Sequence, residues 1–236
     1  MLILEKKPKS IISEAYRTLR TNIQFSKFDG ELKTILVTSS GPGEGKSSTA
    51  CNLAMAFAQG GKNVLLVDSD LRKPTVHKKF KVLNKVGLSN CLINGMEPNK
   101  VVIKYRDNLD IITSGTIPPN PAEMVASDKM RKFLEDVKKE YDYIIIDSPP
   151  LLPVTDAQIL STEADGTVLV VAAGESHKEA CIKAKDLLLK VDATILGVVM
   201  SKIDENSGYG YGSKYYYYYG NDNNISKSQK LITRNA

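Results

Sequence analysis

The chain is poor in cysteine, has no long apolar run and carries no strong excess of either charge. Each shortage excludes a class of protein. The three cysteines among 236 residues, Cys51, Cys91 and Cys181, are scattered, odd in number and without metal-ligand spacing. Reduced, partly buried thiols are therefore expected, rather than a zinc site or a disulfide framework. No segment reaches the roughly 20 apolar residues of a membrane-spanning helix. The opening Met1-Leu-Ile-Leu-Glu-Lys-Lys lacks the apolar core of a secretory signal, which predicts a cytoplasmic protein. A formal charge of +5, spread along the chain, argues against nucleic acid as a partner. With 42% hydrophobic residues, the chain can bury the core of one α/β domain but not of two large ones.

What is present starts at Thr34. A β-branched apolar run breaks at Ser40-Gly-Pro-Gly-Glu-Gly-Lys-Ser and passes directly into a helix-forming segment from Ala50. Gly41, Gly43 and Gly45 let successive backbone N–H groups turn inward at a helix N-terminus, which makes a concave anion site. Lys46 adds a full charge, and the hydroxyl of Ser47 suits the magnesium ion that accompanies a nucleoside triphosphate. The candidate nucleotide contacts are Gly41, Gly43, Glu44, Gly45, Lys46, Ser47 and Ser48. Ser40 stands where the general phosphate-loop pattern has glycine.

Before this loop, residues 10 to 28 read as an amphipathic helix with Ile12, Ala15, Leu19 and Ile23 on its apolar face. Glu14, Arg17 and Arg20 form an adjacent charged stripe. Helix physics alone makes it a solvated Glu–Arg pair worth a few tenths of a kcal/mol. After the loop, an apolar strand ends in Asp68, with Asp70 two residues on. In an open parallel sheet both would face the crevice at the strands' carboxyl ends, beside the phosphate site, with magnesium between the charges. Residues 71 to 108 show no strong period, only a basic cluster (Arg72, Lys73, His77, Lys78, Lys79, Lys81) and a short helix at 87 to 93. A strand at Leu109–Thr113 and helices near 121–126 and 128–139 lead to Tyr143-Ile-Ile-Ile-Asp-Ser-Pro-Pro, which sets Asp147 at another strand end. A helix at 156–162, a strand at 166–172, a helix at 177–190 and a strand at 194–200 complete the alternation. It predicts an α/β fold of P-loop NTPase type, a doubly wound, mainly parallel sheet flanked by helices.

Beyond Asp204 the composition turns to Gly, Asn, Ser and Tyr, and a disordered tail is expected. It carries Tyr209, Tyr211, Tyr215, Tyr216, Tyr217, Tyr218 and Tyr219, seven of the chain's eleven tyrosines. Three regions follow: 1–28, a helix with the charged stripe; 29–204, the nucleotide domain; and 205–236, the tyrosine-rich tail.

Four features together, the loop, Leu65-Leu-Val-Asp-Ser-Asp-Leu-Arg, Ile144-Ile-Ile-Asp-Ser-Pro-Pro and the tyrosine cluster, resemble the bacterial tyrosine kinases (BY-kinases) of capsular and extracellular polysaccharide biosynthesis. The match is to the cytoplasmic, kinase-only form typical of Gram-positive bacteria. The resemblance implies phosphoryl transfer from ATP with Mg2+ to a tyrosine hydroxyl. Lys46 and the loop amides would hold the β- and γ-phosphates, Ser47, Asp70 and Asp147 the metal, and Asp68 would act as general base. Glu14, Arg17 and Arg20 resemble the E-x-x-R-x-x-R element that assembles family members into rings, in which one subunit's tail enters its neighbour's site. A separate membrane-embedded activator that recruits the chain to the inner face of the plasma membrane, a cognate tyrosine phosphatase and other protein substrates belong to the same expectation. Ser201 stands where related ATPases often carry asparagine. Two other functions compete: a partition or division-site ATPase switch, which usually has lysine at the position of Gly41, and a non-catalytic nucleotide-dependent scaffold, which should have lost one of the three aspartates. Phosphorylating seven tyrosines at about −1.5 to −2 each adds roughly −10 to −14. Such a load is expected to expel the tail from an acid-lined site.

Overall fold

The computed structural model describes residues 2–26 and 31–203, so the seven-tyrosine segment lies outside it. Seven strands form one sheet in the order β3-β4-β2-β5-β1-β6-β7. They are β1 (Thr34–Ser39), β2 (Val64–Asp68), β3 (Ile103–Arg106), β4 (Leu109–Ile112), β5 (Tyr143–Asp147), β6 (Gly166–Ala172) and β7 (Ile195–Ser201). All neighbours run parallel except the β3–β4 pair. The central strands are unbroken β-branched and leucine runs because both faces are covered; β1, β2 and β4 are buried at every position.

One face packs against α3 (Lys46–Gln59), whose residues from Thr49 to Ala58 are all buried. That explains why this helix has no polar stripe. Two N-terminal helices, α1 (Ile3–Lys6) and α2 (Ile11–Gln24), rest on α3 and add Leu2, Leu4 and Ile23 to the same core. The opposite face is covered by α5 (Leu88–Asn94), α6 (Pro121–Val125) and α7 (Asp128–Lys138) around Leu65, Val67, Ile144 and Ile146. A third cluster joins β6 to α8 (Asp156–Glu163) and α9 (Lys178–Leu189).

Three expectations change. The N-terminal helix ends at Gln24, and residues 27–30 lie outside the described chain. Its buried side is turned from the predicted face: Ile12 is 40% exposed and Ala15 exposed, while Ser13 and Ile23 are buried and Tyr16 and Leu19 partly so. The cause is the surface it meets. Helix α2 lies on the polar first turns of α3, where the Tyr16 phenol packs by Thr49 and Asn52, and the Ser13 hydroxyl donates to the Lys7 carbonyl at 2.7 Å. Segment 71–108 also holds more than one helix, with α4 (Val76–Phe80), α5, a 3-10 turn at Pro98–Lys100 and β3. Ile103-Lys-Tyr-Arg alternates half-buried and exposed, a period-two signal only four residues long.

Register positions the chemistry. Asp68 pairs with Asp147 across β2 and β5, and Val37 of β1 pairs with the same Asp147. The two aspartates and the start of the glycine loop therefore stand at one level, at the carboxyl edge of the sheet.

Candidate active site

Gly43 (φ 81°) and Gly45 (φ 92°) take the left-handed conformation that the loop needs. A Cβ on Gly45 would also approach the Ser201 Oγ to 3.0 Å. No side chain caps α3, and Thr49 is the first amide to bond back, to the Gly45 carbonyl at 2.9 Å. The amides before it are left to a ligand, at the positive end of a 14-residue helix.

Lys46 is the centre of the charge network. Its Nζ lies 3.0 Å from Asp70 Oδ2, 3.1 Å from Ser47 Oγ and 3.7 Å from Asp147 Oδ1. Burial pulls its pKa down, but Asp147 and Asp70 outweigh burial and hold the ammonium above its ordinary value. Asp147 is fully buried and neither carboxylate oxygen makes a close hydrogen bond, the Ser47 hydroxyl and Lys46 at 3.7 Å being the donors that act on it. Burial pushes its pKa up, against the pull of Lys46. An orphaned pair of hard oxygens beside Ser47 and Asp70 fits a hydrated magnesium ion. Among the described residues no three His, Cys, Asp or Glu side chains close a cage, so water and phosphate oxygens would complete the shell, as magnesium prefers.

Asp68 is brought to the site but faces inward. Its Oδ2 accepts from the amides of Thr75 (3.2 Å) and Val76 (3.0 Å), and its Oδ1 from that of Asp70 (3.3 Å). Burial first, and then Asp147, raises its pKa to about 8. A carboxyl that keeps its proton when folded but loses it near pH 4 when unfolded makes stability fall as pH rises between those values. The thermal midpoint of the nucleotide-free chain is accordingly expected to drop between pH 5 and pH 8, and Asp68→Asn to flatten that slope. A slope unchanged in the variant would remove Asp68 as its source.

Of the predicted nucleotide contacts, Glu44 turns its carboxylate away from the crevice. Oε1 accepts from the hydroxyls of Ser40 (2.7 Å) and Ser176, and Oε2 from the Gly41 amide at 2.9 Å. The Ser201 hydroxyl donates to the Glu44 carbonyl at 2.6 Å. Both serines that depart from the general patterns thus bond to Glu44, Ser40 to its buried carboxylate and Ser201 to its backbone carbonyl, and so brace the loop. Replacing Glu44 with alanine strands two hydroxyls and an amide. It is expected to cost about 1–3 kcal/mol in urea unfolding and to weaken nucleotide binding, with a smaller loss for Glu44→Gln, which can still accept.

The crevice, about 580 Å³, is lined by the loop, Ser47, Ser48 and Asp70, with Arg72, Lys73 and Lys79 on one side and Pro149, Pro150, Pro153 and Val154 among its other lining residues. Asp70 is its one acid against three basic residues, so it is not the acid-lined site expected. Asp68 and Asp147 are buried beside Lys46 and do not line it. Arg72 is held by two 2.9 Å bonds to Asp156, a fully buried residue 84 positions away. Lys79 Nζ donates to Ser48 Oγ at 2.8 Å. Asp156, Ser176, Pro153 and Val154 had no signal as site residues in the sequence, whereas Pro149 and Pro150 close the motif that begins at Ile144. A second cavity of about 620 Å³ opens among Asn63, Lys104, Arg106 and Asn108, away from the phosphate loop.

The charged stripe of α2 is divided. Glu14 and Arg17 pair at 3.0 Å on the surface, and Arg17 Nη2 also donates to the Pro8 carbonyl. Arg20 instead donates from Nη1 to the Ala56 carbonyl at 3.0 Å, at the negative end of α3. Gly60 makes room for it, since a Cβ there would come within 2.8 Å of Nη1.

Comparison with known proteins gives consistent findings. The family described as an AAA domain matches residues 32–192. Tyrosine-protein kinase YwqD of Bacillus subtilis (strain 168) is 47% identical over 213 residues, covering 89% of this chain and 90% of that protein. Tyrosine-protein kinase CpsD of Streptococcus pneumoniae serotype 4 is 39% identical over 193 residues, 81% of this chain and 84% of that one. The crystal structure of the chimerical protein CapA2B2 superposes with a TM-score of 0.82 at 41% identity, covering 86% of this chain and 89% of its own.

Proposed function

The chain belongs to the bacterial tyrosine-protein kinases with a nucleotide-binding P-loop fold, and from that premise we propose that it transfers the γ-phosphoryl group of ATP to the tyrosine cluster Tyr209–Tyr219 of a neighbouring copy. The observation that supports this most is the orphaned carboxylate of Asp147 beside Lys46 and Ser47 at the foot of the glycine loop. Lys46 and the loop amides through Ser48 bind the β- and γ-phosphates. Ser47, Asp70 and Asp147 would hold Mg2+ directly or through water, and the ion would supply positive charge to the phosphate oxygens. Transfer is then chiefly positioning and charge stabilisation. Asp68 is the assigned proton acceptor, a role that requires its carboxylate to be ionised and turned from the Thr75 and Val76 amides toward the crevice.

Glu14, Arg17 and Arg20 are assigned to assembly into a ring, with Glu14 exposed, Arg17 half-buried and Arg20 setting the helix on α3. Regions 1–28, 29–204 and 205–236 are then functional units, assembly helix, kinase domain and acceptor tail, although the first packs into the core of the second. No helix of the described residues is long and apolar enough to cross a membrane. A separate membrane-embedded activator would bring the chain to the inner face of the plasma membrane, where it regulates capsular or extracellular polysaccharide production. A phosphatase would reset the tail. The test is incubation with ATP and magnesium, with and without candidate membrane partners, followed by mass mapping of residues 205–236. Phosphotyrosine confined to that tail is expected; release of inorganic phosphate without it would favour the ATPase switch instead.

A further inference from the structure

We propose that the mouth of the crevice selects acceptor tyrosines that have an anionic group beside them in the chain, phosphotyrosine above all, so that phosphorylation of the consecutive Tyr215–Tyr219 reinforces itself. This rests on the reading of the tail as acceptor. Its basis is that the crevice carries two unlike sets of groups outside the phosphate loop.

Pro149, Pro150, Pro153 and Val154 follow Asp147 and present rigid apolar surface, suited to the flat body of a tyrosine ring. Arg72 and Lys73 also line the crevice, and the nucleotide's phosphates already have Lys46 and the loop amides. Arg72 spends Nε and Nη2 on buried Asp156, which fixes the guanidinium as a planar donor with Nη1 outside that fork. Lys73 has no acidic partner among the described residues, and its amide donates to Asp70 Oδ1 at 2.9 Å. That bond fixes the Lys73 backbone beside the carboxylate that contacts Lys46, at the edge of the crevice its side chain helps to line.

An extended acceptor rises about 3.3 Å per residue, so the tyrosine two positions along lies roughly 7 Å away on the same side. A phosphate there carries about −1.5 to −2 and offers three acceptor oxygens to Arg72 and Lys73. In the transfer itself the phenol oxygen bonds to the γ-phosphorus, the bond from that phosphorus to the bridging oxygen of ADP breaks, and the phenol proton passes to the base. The new phosphate then becomes the recognition group for the next tyrosine. In the run of five consecutive tyrosines, the set Tyr215, Tyr217 and Tyr219 and the set Tyr216 and Tyr218 each supply such a neighbour at every step after the first.

The experiment uses the full chain with ATP and magnesium as enzyme. The acceptors are full-length chains carrying Lys46→Met and a ligated synthetic tail whose only free tyrosine is Tyr217. Position 219 holds phosphotyrosine in one acceptor and phenylalanine in the other, with phenylalanine at the remaining cluster positions of both. The primed acceptor is expected to react roughly tenfold faster or more in kcat/KM, the scale of a charge-assisted hydrogen bond. In the Lys73→Gln enzyme the ratio of primed to unprimed rates should fall toward one, and in Lys73→Glu below it, whatever the absolute rates. Equal rates with the unaltered enzyme, or a ratio untouched by Lys73→Glu, overturn the proposal while leaving the kinase reading in place. Transfer to neither acceptor overturns both.

Discussion

Replacing Lys46 with methionine is expected to lower tail phosphorylation by about three orders of magnitude or more, because the fixed charge aimed at the transferring phosphate is lost. The same substitution has a second effect that separates this site from a generic anion site. Asp70 at 3.0 Å and Asp147 at 3.7 Å lose their cation, and Asp68 stands beside them fully buried. Breaking a buried ion pair from one side typically costs about 3–5 kcal/mol unless the stranded charge is neutralised. Protons can neutralise it. In the variant the folded chain binds more protons than the unfolded one from about pH 4 upward, so its stability falls more steeply with rising pH than that of the unaltered chain. Lys46 itself titrates above this range, its own pKa being raised, and adds no slope below it. Thermal melts at pH 5 and pH 8 check this: a large loss at pH 8 and a small one at pH 5 are expected. Equal losses at the two values would show that the lysine acts through packing alone.

Asp147→Asn should give the opposite pairing of effects, with activity lost and the nucleotide-free chain gaining stability. The carboxylate is buried without a close hydrogen bond, and its ionised form also raises the pKa of Asp68. Neutralising it removes a buried charge while Lys46 keeps Asp70 at 3.0 Å, and a net gain of about 1–3 kcal/mol at pH 8 is expected, or roughly 2–4 °C per kcal/mol at this chain length. Magnesium and a nonhydrolysable ATP analogue should stabilise the unaltered chain by about 2.7 kcal/mol at a hundredfold excess over Kd, and the variant far less. Phosphoryl transfer should fall by about 10²–10³-fold. If Asp147→Asn destabilises the free chain, the carboxylate has a structural partner and its assignment to the metal fails. This trade-off is what a strained ligand site predicts, and a surface aspartate would not show it.

Much of the site could be read along the chain because its parts are local. The glycine loop, Asp68, Asp70 and Asp147 each follow an apolar β-branched strand, and a parallel sheet necessarily gathers strand ends at one edge. The short edge strand β3 was not legible, since four alternating residues in a basic stretch do not make a period. The buried side of α2 was not either, because it is set by the partner surface and not by α2's own moment; α3 meets it with Thr49 and Asn52.

The sequence by itself therefore determined the fold class, the phosphate loop, the acidic positions and the tyrosine-rich composition of the tail, since each depends on spacing within a few residues. Only the tertiary structure decided how those residues are used. It turned Glu44 inward to brace its own loop through Ser176, 132 positions away. It fixed Arg72 on Asp156 across 84 positions. It also buried Asp68 and Asp147 beside Lys46, so that the crevice is lined by Arg72, Lys73 and Lys79 with Asp70 as its one acid. These are contacts between distant segments, and their charges act through space, where sequence separation carries no information.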